Sequence, residues 1–551
     1  MTSMARGSEL NVPEHLDGTR ADQLERSTGG SPQTRGTYGA LFVALAIGTL
    51  IRAWHTWSVD FPLNDGGLFY IMVRDLQQAH YQLPAFTSYN HAQIPFAYSP
   101  FAFYLTGLIN DATGASLLTL LRVLPFVAST ACIVAFALLA RGMLASRATI
   151  AASLVAFAIV PRGFVWLIMG GGLTRSFGYL FALLALYLIW LLYTRRSLRY
   201  VPLAAVCCAL TVSSHLGTAP FVAFSAALFL LFRGRHRVGV VGSLLIGAGT
   251  LLLTAPWWAT VIVMHGIAPF AAARATGGSL VSAADTPGGI LVLARAVLGT
   301  TGEGLFPLIL ILALLGAIWC VRERRALLPV WWVSTLVLDA RAGSTYAAAP
   351  VAMLAGICVT ELLWPLVAAT GERASRRRVY RRAALLVFGV LLCGSIFSAA
   401  SSRAGIAGET HVLTALTPVD RAAMQWVTLH TSPAARVLVL TSVPWEIDKV
   451  SEWLPALSQR VSVATVQGTE WLPHGAFAQA IQRRGRLASC ADATTSCLDS
   501  LRLDPALRFT QVYVPNGPTT QCCRPLLSAL RRDSRYRAIY DGDGATIFAW
   551  R

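Results

Sequence analysis

Long apolar stretches separated by short arginine clusters run from Tyr38 to about residue 400 of this chain. Such stretches satisfy their backbone hydrogen bonds internally when they cross lipid, so each is expected to span as a helix. The clusters are Arg141 and Arg147; Arg195, Arg196 and Arg199; Arg233, Arg235 and Arg237; Arg322, Arg324 and Arg325; and the run from Arg373 to Arg382. Cationic loops stay on the cytoplasmic side, so these clusters fix the expected topology. Spans are predicted at 38–57, 117–140, 148–160, 174–194, 200–213, 219–232, 238–263, 304–321, 326–339, 345–369 and 382–400. The apolar segment 98–109 is too short to cross and is expected to lie in the interface. Were it to span, every later cluster would fall outside; with it lying flat, all five land inside. Trp54, Trp57, Trp166, Trp190, Trp257, Trp258, Trp331, Trp332 and Trp364 fall near span ends, as an interfacial belt requires, although some fit ordinary packing equally well.

The predicted fold class is therefore an α-helical polytopic membrane protein of about eleven transmembrane helices, followed by a C-terminal extracytoplasmic α/β domain. Only 13% of the 551 residues are charged, about half the share of a soluble chain. The net charge of +18 does not point to nucleic acid, because the cations sit where topology needs them. The partner this pattern demands is the lipid bilayer, and the expected location is the bacterial cytoplasmic membrane, N-terminus inside. Residues 1–36 are polar and read as a disordered cytoplasmic tail without a cleavable signal, 37–403 as the membrane domain, and 404–551 as the α/β domain. In that last part, strands are expected at 436–441, 460–466, 510–514 and 545–550, and helices at 418–430, 474–484 and 521–532. It carries neither a GxGxxG fingerprint nor a P-loop. Cys132, Cys207, Cys208, Cys320, Cys358 and Cys393 lie in apolar stretches as packing residues. Cys490, Cys497, Cys522 and Cys523 are placed to form two disulfides; a 522–523 pair would be strained, so cross-pairs between the two groups are expected.

Chemistry-bearing residues gather in the first outer loop, 59–115. Asp65 precedes two glycines and an amphipathic helix, where a helix N-terminus stabilises a carboxylate. Its structural role there is a cap, and capping is compatible with catalysis. Asp75, beside Arg74 on that helix, is the second acid and reads as solvated or paired. Asp60 is a weaker candidate. Among the arginines outside the positive-inside clusters, three stand out: Arg162 and Arg175, which bracket the next outer loop with its Gly170–Gly172 run, and Arg341, which follows Asp339 in a short turn. Cations at the outer face suit a lipid phosphate, and consecutive glycines let backbone approach an anion; simple snorkelling explains each arginine as well. His215, at the outer end of a span, is a contact for phosphate, sugar or a metal, or a hydrogen-bonded structural residue. The Gly- and Ala-rich loop 264–303 reads as a mobile lid.

A span, an outer loop whose Asp opens an amphipathic helix, and the segment Tyr98-Ser-Pro-Phe101 resemble the GT-C superfamily of membrane glycosyltransferases, with its protein O-mannosyltransferases and aminoarabinose transferases. The family's Tyr/His/Lys-Pro-Pro-Leu segment appears here one Pro short. The resemblance covers the first two spans. It implies a sugar donor on a polyprenyl (pyro)phosphate, an acceptor hydroxyl on a glycan, lipid or protein, and Asp65 as general base in an inverting transfer. Arg162, Arg175, His215, Arg341, Asp75 and Tyr98 are the substrate-binding candidates that go with it. It also gives the segment Glu452–Trp471 a role in acceptor binding; packing against the membrane domain accounts for those residues equally. Oligosaccharyltransferases of this superfamily use a metal and a second acidic motif. No acid lies between Pro161 and Arg175, so no cofactor is expected and a divalent metal is not indicated. The competing classes are a lipid-carrier flippase or transporter and a non-catalytic polymer-assembly subunit.

Overall fold

A computed structural model describes residues 32–276, 296–304, 306–338, 342–365, 374–401, 412–491 and 494–551. The chain opens on α1 (Pro32–Trp57), which starts inside the stretch expected to be a disordered tail. The first loop then carries α2 (Gly67–Gln78), the short hairpin β1 (Phe86–Thr87) and β2 (Ile94–Pro95), and α3 (Phe101–Thr113). Next come α4 (Leu117–Met143), α5 (Arg147–Ile159), α6 (Gly172–Arg195), α7 (Val201–Ser214), α8 (Ala219–Arg233) and α9 (Arg237–His265). After α10 (Ala268–Ala275) the membrane domain is completed by α11 (Leu308–Arg322), α12 (Leu327–Leu338), α13 (Gly343–Ile357) and α14 (Ala374–Ala400).

Among the described residues, seven helices are long and apolar enough to cross a membrane; a bent pair, 147–159 with 161–167, makes a possible eighth. Three shorter apolar helices, 198–214, 308–322 and 327–338, occupy the other segments expected to span. The protein is a polytopic membrane protein. The segment expected at the interface is the separate helix α3, outside this set. Trp54, Trp57 and Trp364 are more than half exposed, as interfacial residues are, whereas Trp331 and Trp332 are buried. Trp331 donates its Nε1–H to Ser225, so part of the expected belt is core. Residues 277–295, about half of the loop expected as a lid, lie outside the described residues, as does Arg341.

The segment after α5 departs most from the sequence expectation. Pro161 cannot continue the helix, the chain bends by 80°, and residues 161–167 turn back as two short 3-10 turns. Instead of an outer loop on the surface, 163–165 and 167–174 are buried. A helix ending inside protein leaves carbonyls that need donors. Arg52, fully buried on α1, supplies them: its Nη1 donates to the Ala158 carbonyl at 3.0 Å and to Gly48 at 3.0 Å, and its Nε donates to Ser129 Oγ at 3.0 Å. The guanidinium lies over the Phe164 ring, 4.7 Å from its centre. Arg52→Met keeps the volume and removes the donors. At about 1–3 kcal/mol for each buried group left unpaired, the variant is expected to lose roughly 3 kcal/mol in thermal unfolding of the purified protein; an unchanged melt would mean that the bend holds without Arg52.

The C-terminal domain contains α15 (Pro418–His430), β3 (Arg436–Val439), α16 (Lys449–Ser458), β4 (Val461–Ser462), α17 (Ala476–Ala488) and α18 (Thr495–Arg502). Then follow β5 (Gln511–Pro515), α19 (Arg524–Arg532), β6 (Tyr536–Asp541) and β7 (Ala545–Trp550). The sheet order is β4-β3-β5-β7-β6, with β3 parallel to both β4 and β5 and β7 antiparallel to both its neighbours. The sequence reading found four strands; β6, α16 and α18 were not anticipated. The disulfides are Cys490–Cys497 and Cys522–Cys523, which corrects the expected cross-pairs. The short connection between α17 and α18 brings Cys490 and Cys497 to a Cα separation of 5.6 Å, within the ordinary range for a disulfide. In the helices the cysteines are free and buried, except exposed Cys393.

Candidate active site

Asp65 ends the connection from α1 to α2, and that connection is held on two sides. The Leu63 carbonyl accepts the Gly170 amide at 2.9 Å, while Leu63 and Asn64 pair with the C-terminal domain at Ala415 and Thr414. The chain then turns at Gly66 with φ +132°, a conformation closed to other residues. A Cβ there would also lie 3.1 Å from Gly170 and from the Trp453 ring.

The Asp65 side chain does not cap α2. It crosses to the N-terminus of α6, where its Oδ1 accepts the Gly171 amide at 2.9 Å and its Oδ2 lies 3.7 Å from Arg175 Nη2. The Gly170–Gly172 run does receive an anionic group, and that group is Asp65: a Cβ on Gly171 would collide with its carboxylate, and one on Gly170 with its carbonyl oxygen. Arg175 lies beside the Trp166 ring, 5.7 Å from its centre. The Asp65 side chain is 17% exposed and Arg175 33%, so the pair borders solvent.

The N-terminus of α2 is capped instead by Glu452 of α16, whose two carboxyl oxygens each lie 3.0 Å from the Gly66 amide, with Leu68 N at 3.3 Å from Oε1. Burial and the neighbouring Asp65 charge push the Glu452 carboxyl up to about 8, against the pull of the Gly66, Leu68 and Gly67 amides. Burial also raises Asp65, while Arg175 and the Gly171 amide draw it back. Of these two coupled carboxyls, Asp65 is the one with a cation beside it. That cation favours the ionised form of Asp65, and the Asp65 charge in turn favours the protonated form of Glu452.

The other sequence candidates fall into distinct places. Arg162 sits at the bend after α5, its amide bonded to the Thr301 carbonyl. His215 ends α7; its Nδ1 is 2.9 Å from Thr218 Oγ1, which is 2.9 Å from the Tyr346 hydroxyl. A Cβ on Gly178 would lie 2.7 Å from His215 Cβ, so the histidine packs on α6 one turn beyond Arg175. Tyr98 packs against Phe69 and Trp471, at 5.4 and 4.7 Å between ring centres. The next residue, Ser99, donates to the Val212 carbonyl near the end of α7. Asp75 is neither solvated nor paired with Arg74. It is buried and accepts from Thr87 Oγ1, Ser88 N and Ser88 Oγ, fastening α2 to the β1 hairpin. Asp60 pairs with Arg421 of the C-terminal domain. Among the described residues, no cluster of three or more His, Cys, Asp or Glu forms a metal-ligand set.

The sequence places Glu452 only within a segment read for acceptor binding or packing against the membrane domain, not as a helix cap. The signal passed over was Asp448 at the start of α16: this N-cap accepts the Ser451 amide and opens a helix that Pro455 makes hard to recognise.

The helical bundle, whose first loop carries an amphipathic helix, is joined to a C-terminal α/β domain. Among solved structures, the chain is similar to the archaeal oligosaccharyltransferase AglB from Archaeoglobus fulgidus, in complex with an inhibitory peptide and a dolichol-phosphate. The TM-score is 0.56 at 15% identity over 87% of this chain and 69% of that one. It is also similar to ArnT from Cupriavidus metallidurans bound to undecaprenyl phosphate, with a TM-score of 0.51 at 14% identity over 93% of this chain and 97% of that one. No family model and no curated protein matches the sequence.

Proposed function

We propose that this protein is an inverting glycosyltransferase that moves a sugar from a polyprenyl (pyro)phosphate to an acceptor hydroxyl on the extracytoplasmic face of a bacterial membrane, with Asp65 as general base. The observation that carries the reading is the Asp65 carboxylate held at the α6 N-terminus beside Arg175, on a partly exposed edge. The two similar folds hold dolichol-phosphate and undecaprenyl phosphate, which supports a lipid-phosphate donor here.

In the proposed step the acceptor oxygen attacks the anomeric carbon and forms the new C–O bond. The bond from that carbon to the phosphate oxygen breaks, and its electron pair leaves with the polyprenyl (pyro)phosphate. The acceptor's proton passes to Asp65. Arg175 would balance the charge that develops on the departing phosphate, with Arg162, His215 and Arg341 as further contacts for phosphate or sugar. No metal enters this step, so transfer is expected to survive EDTA.

Deletion of the gene is expected to remove one extracellular glycan or sugar modification and to raise its lipid-linked precursor, both read by mass spectrometry and both restored by the wild-type chain. Unchanged glycans and unchanged lipid-linked sugars would sink the proposal.

A further inference from the structure

An aspartate just before a helix ordinarily turns back onto that helix's own free amides. Asp65 does not, because another carboxyl is already there. Glu452 reaches from the C-terminal domain to Gly66 N and Leu68 N, and its position is fixed from several directions. The Tyr89 hydroxyl donates to the Glu452 carbonyl at 2.7 Å, and Trp453 Nε1 donates to the Asn64 carbonyl at 3.0 Å. A Cβ on Gly67 would lie 2.8 Å from the Glu452 carbonyl oxygen, so helix and loop touch backbone to backbone.

We infer that Glu452 is a positioning residue for Asp65: by occupying the N-terminus of α2 it leaves the Asp65 side chain directed across to Gly171 and Arg175, so that the C-terminal domain completes the site. The inference rests on Asp65 being the base. Without the glutamate, Asp65 is the adjacent carboxylate in sequence, and it competes to cap α2 at the expense of its contacts on α6.

The arrangement has a pH dependence of definite sign. A carboxyl raised from 4.5 to about 8 on folding favours the docked loop fully below 4.5 and loses that contribution as pH rises through about 8. The groups that face it are Asp65, with Arg175 behind it, and the neutral Tyr89 hydroxyl, which also faces Glu470 and Asp448; Asp448 in turn faces Lys449. Burial lowers Lys449 to about 8, so its own contribution changes above that value.

The test uses the full-length protein in lipid nanodiscs and needs no sugar substrate. Amide hydrogen exchange, corrected for intrinsic rate, is followed for Gly66–Leu76 from about pH 5 to about pH 8. In parallel, Asp65 is coupled to glycine ethyl ester with a carbodiimide, and mass spectrometry gives the pH of half-coupling. In the wild type, protection of this segment is expected to fall as pH rises. Glu452→Ala should lose about tenfold of it at pH 5. Glu452→Gln keeps an acceptor oxygen and cannot ionise, so it should hold protection flat with pH and keep the Asp65 half-coupling point of the wild type. The glutamine variant decides the matter even if the alanine variant does not fold. Wild-type pH dependence of protection in Glu452→Gln, or a displaced Asp65 half-coupling point there, would overturn the inference. Full sugar transfer by Asp65→Asn would instead overturn the catalytic reading while leaving these two readouts unaffected.

Discussion

Asp65→Asn is expected to lower sugar transfer by about 10²- to 10⁴-fold, the range spanned by loss of a general base. Asparagine matches aspartate in size and still offers one oxygen to the Gly171 amide, so the connection between α1 and α2 should keep its path. The lost attraction to Arg175 is small, because both side chains are partly exposed and 3.7 Å apart; about 1 kcal/mol or less is expected in thermal unfolding. A large kinetic effect on a nearly unchanged melt distinguishes chemistry from structure. The wild-type rate should also rise with pH through the Asp65 titration, because the base must be ionised. That limb is expected above the usual aspartate range, since burial is the largest influence on this group. Transfer at the wild-type rate by Asp65→Asn would end the assignment.

The second large effect is expected at Gly171. A Cβ there meets the Asp65 carboxylate, which must leave the α6 N-terminus to make room. Displacement of a reacting group by about 1 Å costs on the order of 10²-fold in rate, so Gly171→Ala should approach the loss seen for Asp65→Asn while its melt changes little. Gly170→Ala makes the useful contrast. Its Cβ meets the Asp65 carbonyl oxygen and lies 3.1 Å from Pro62 Cβ, and backbone on that side is tied to Leu63 and the C-terminal domain. Overpacking against atoms that cannot yield should cost about 1–3 kcal/mol of stability. Both variants are checked by activity per folded molecule and by thermal unfolding. A fully active Gly171→Ala would show that the carboxylate does not need its place on α6.

Much of the membrane domain was legible because lipid imposes a simple rule on sequence. Apolar runs bounded by arginine read as helices, and the helices found fall on those runs. The short segment around Tyr98 and Ser99 was also legible as something other than a span, from length alone. The bend after α5 was not. Its buried residues are as apolar as a span, and only Pro161 marked a break, so an outer loop was the natural expectation. Arg52 gave no warning either, since an arginine near a span end reads as snorkelling until its partners on α4 and α5 are known. The disulfides went wrong for a related reason: cysteine spacing does not reveal how tightly α17 turns into α18.

Local sequence determined the elements around the site: the apolar face of α2, the glycines that permit the Asp65–Gly66 turn, and an acid beside a helix start. These follow from periodicity and backbone freedom, which act within a few residues. Which carboxyl caps which helix was decided only by the tertiary structure. Asp65 and Glu452 are nearly four hundred residues apart, and two helix N-termini and two acids admit more than one pairing. Packing of α16 against the first loop selects the pairing in which Glu452 caps α2 and Asp65 crosses to the N-terminus of α6.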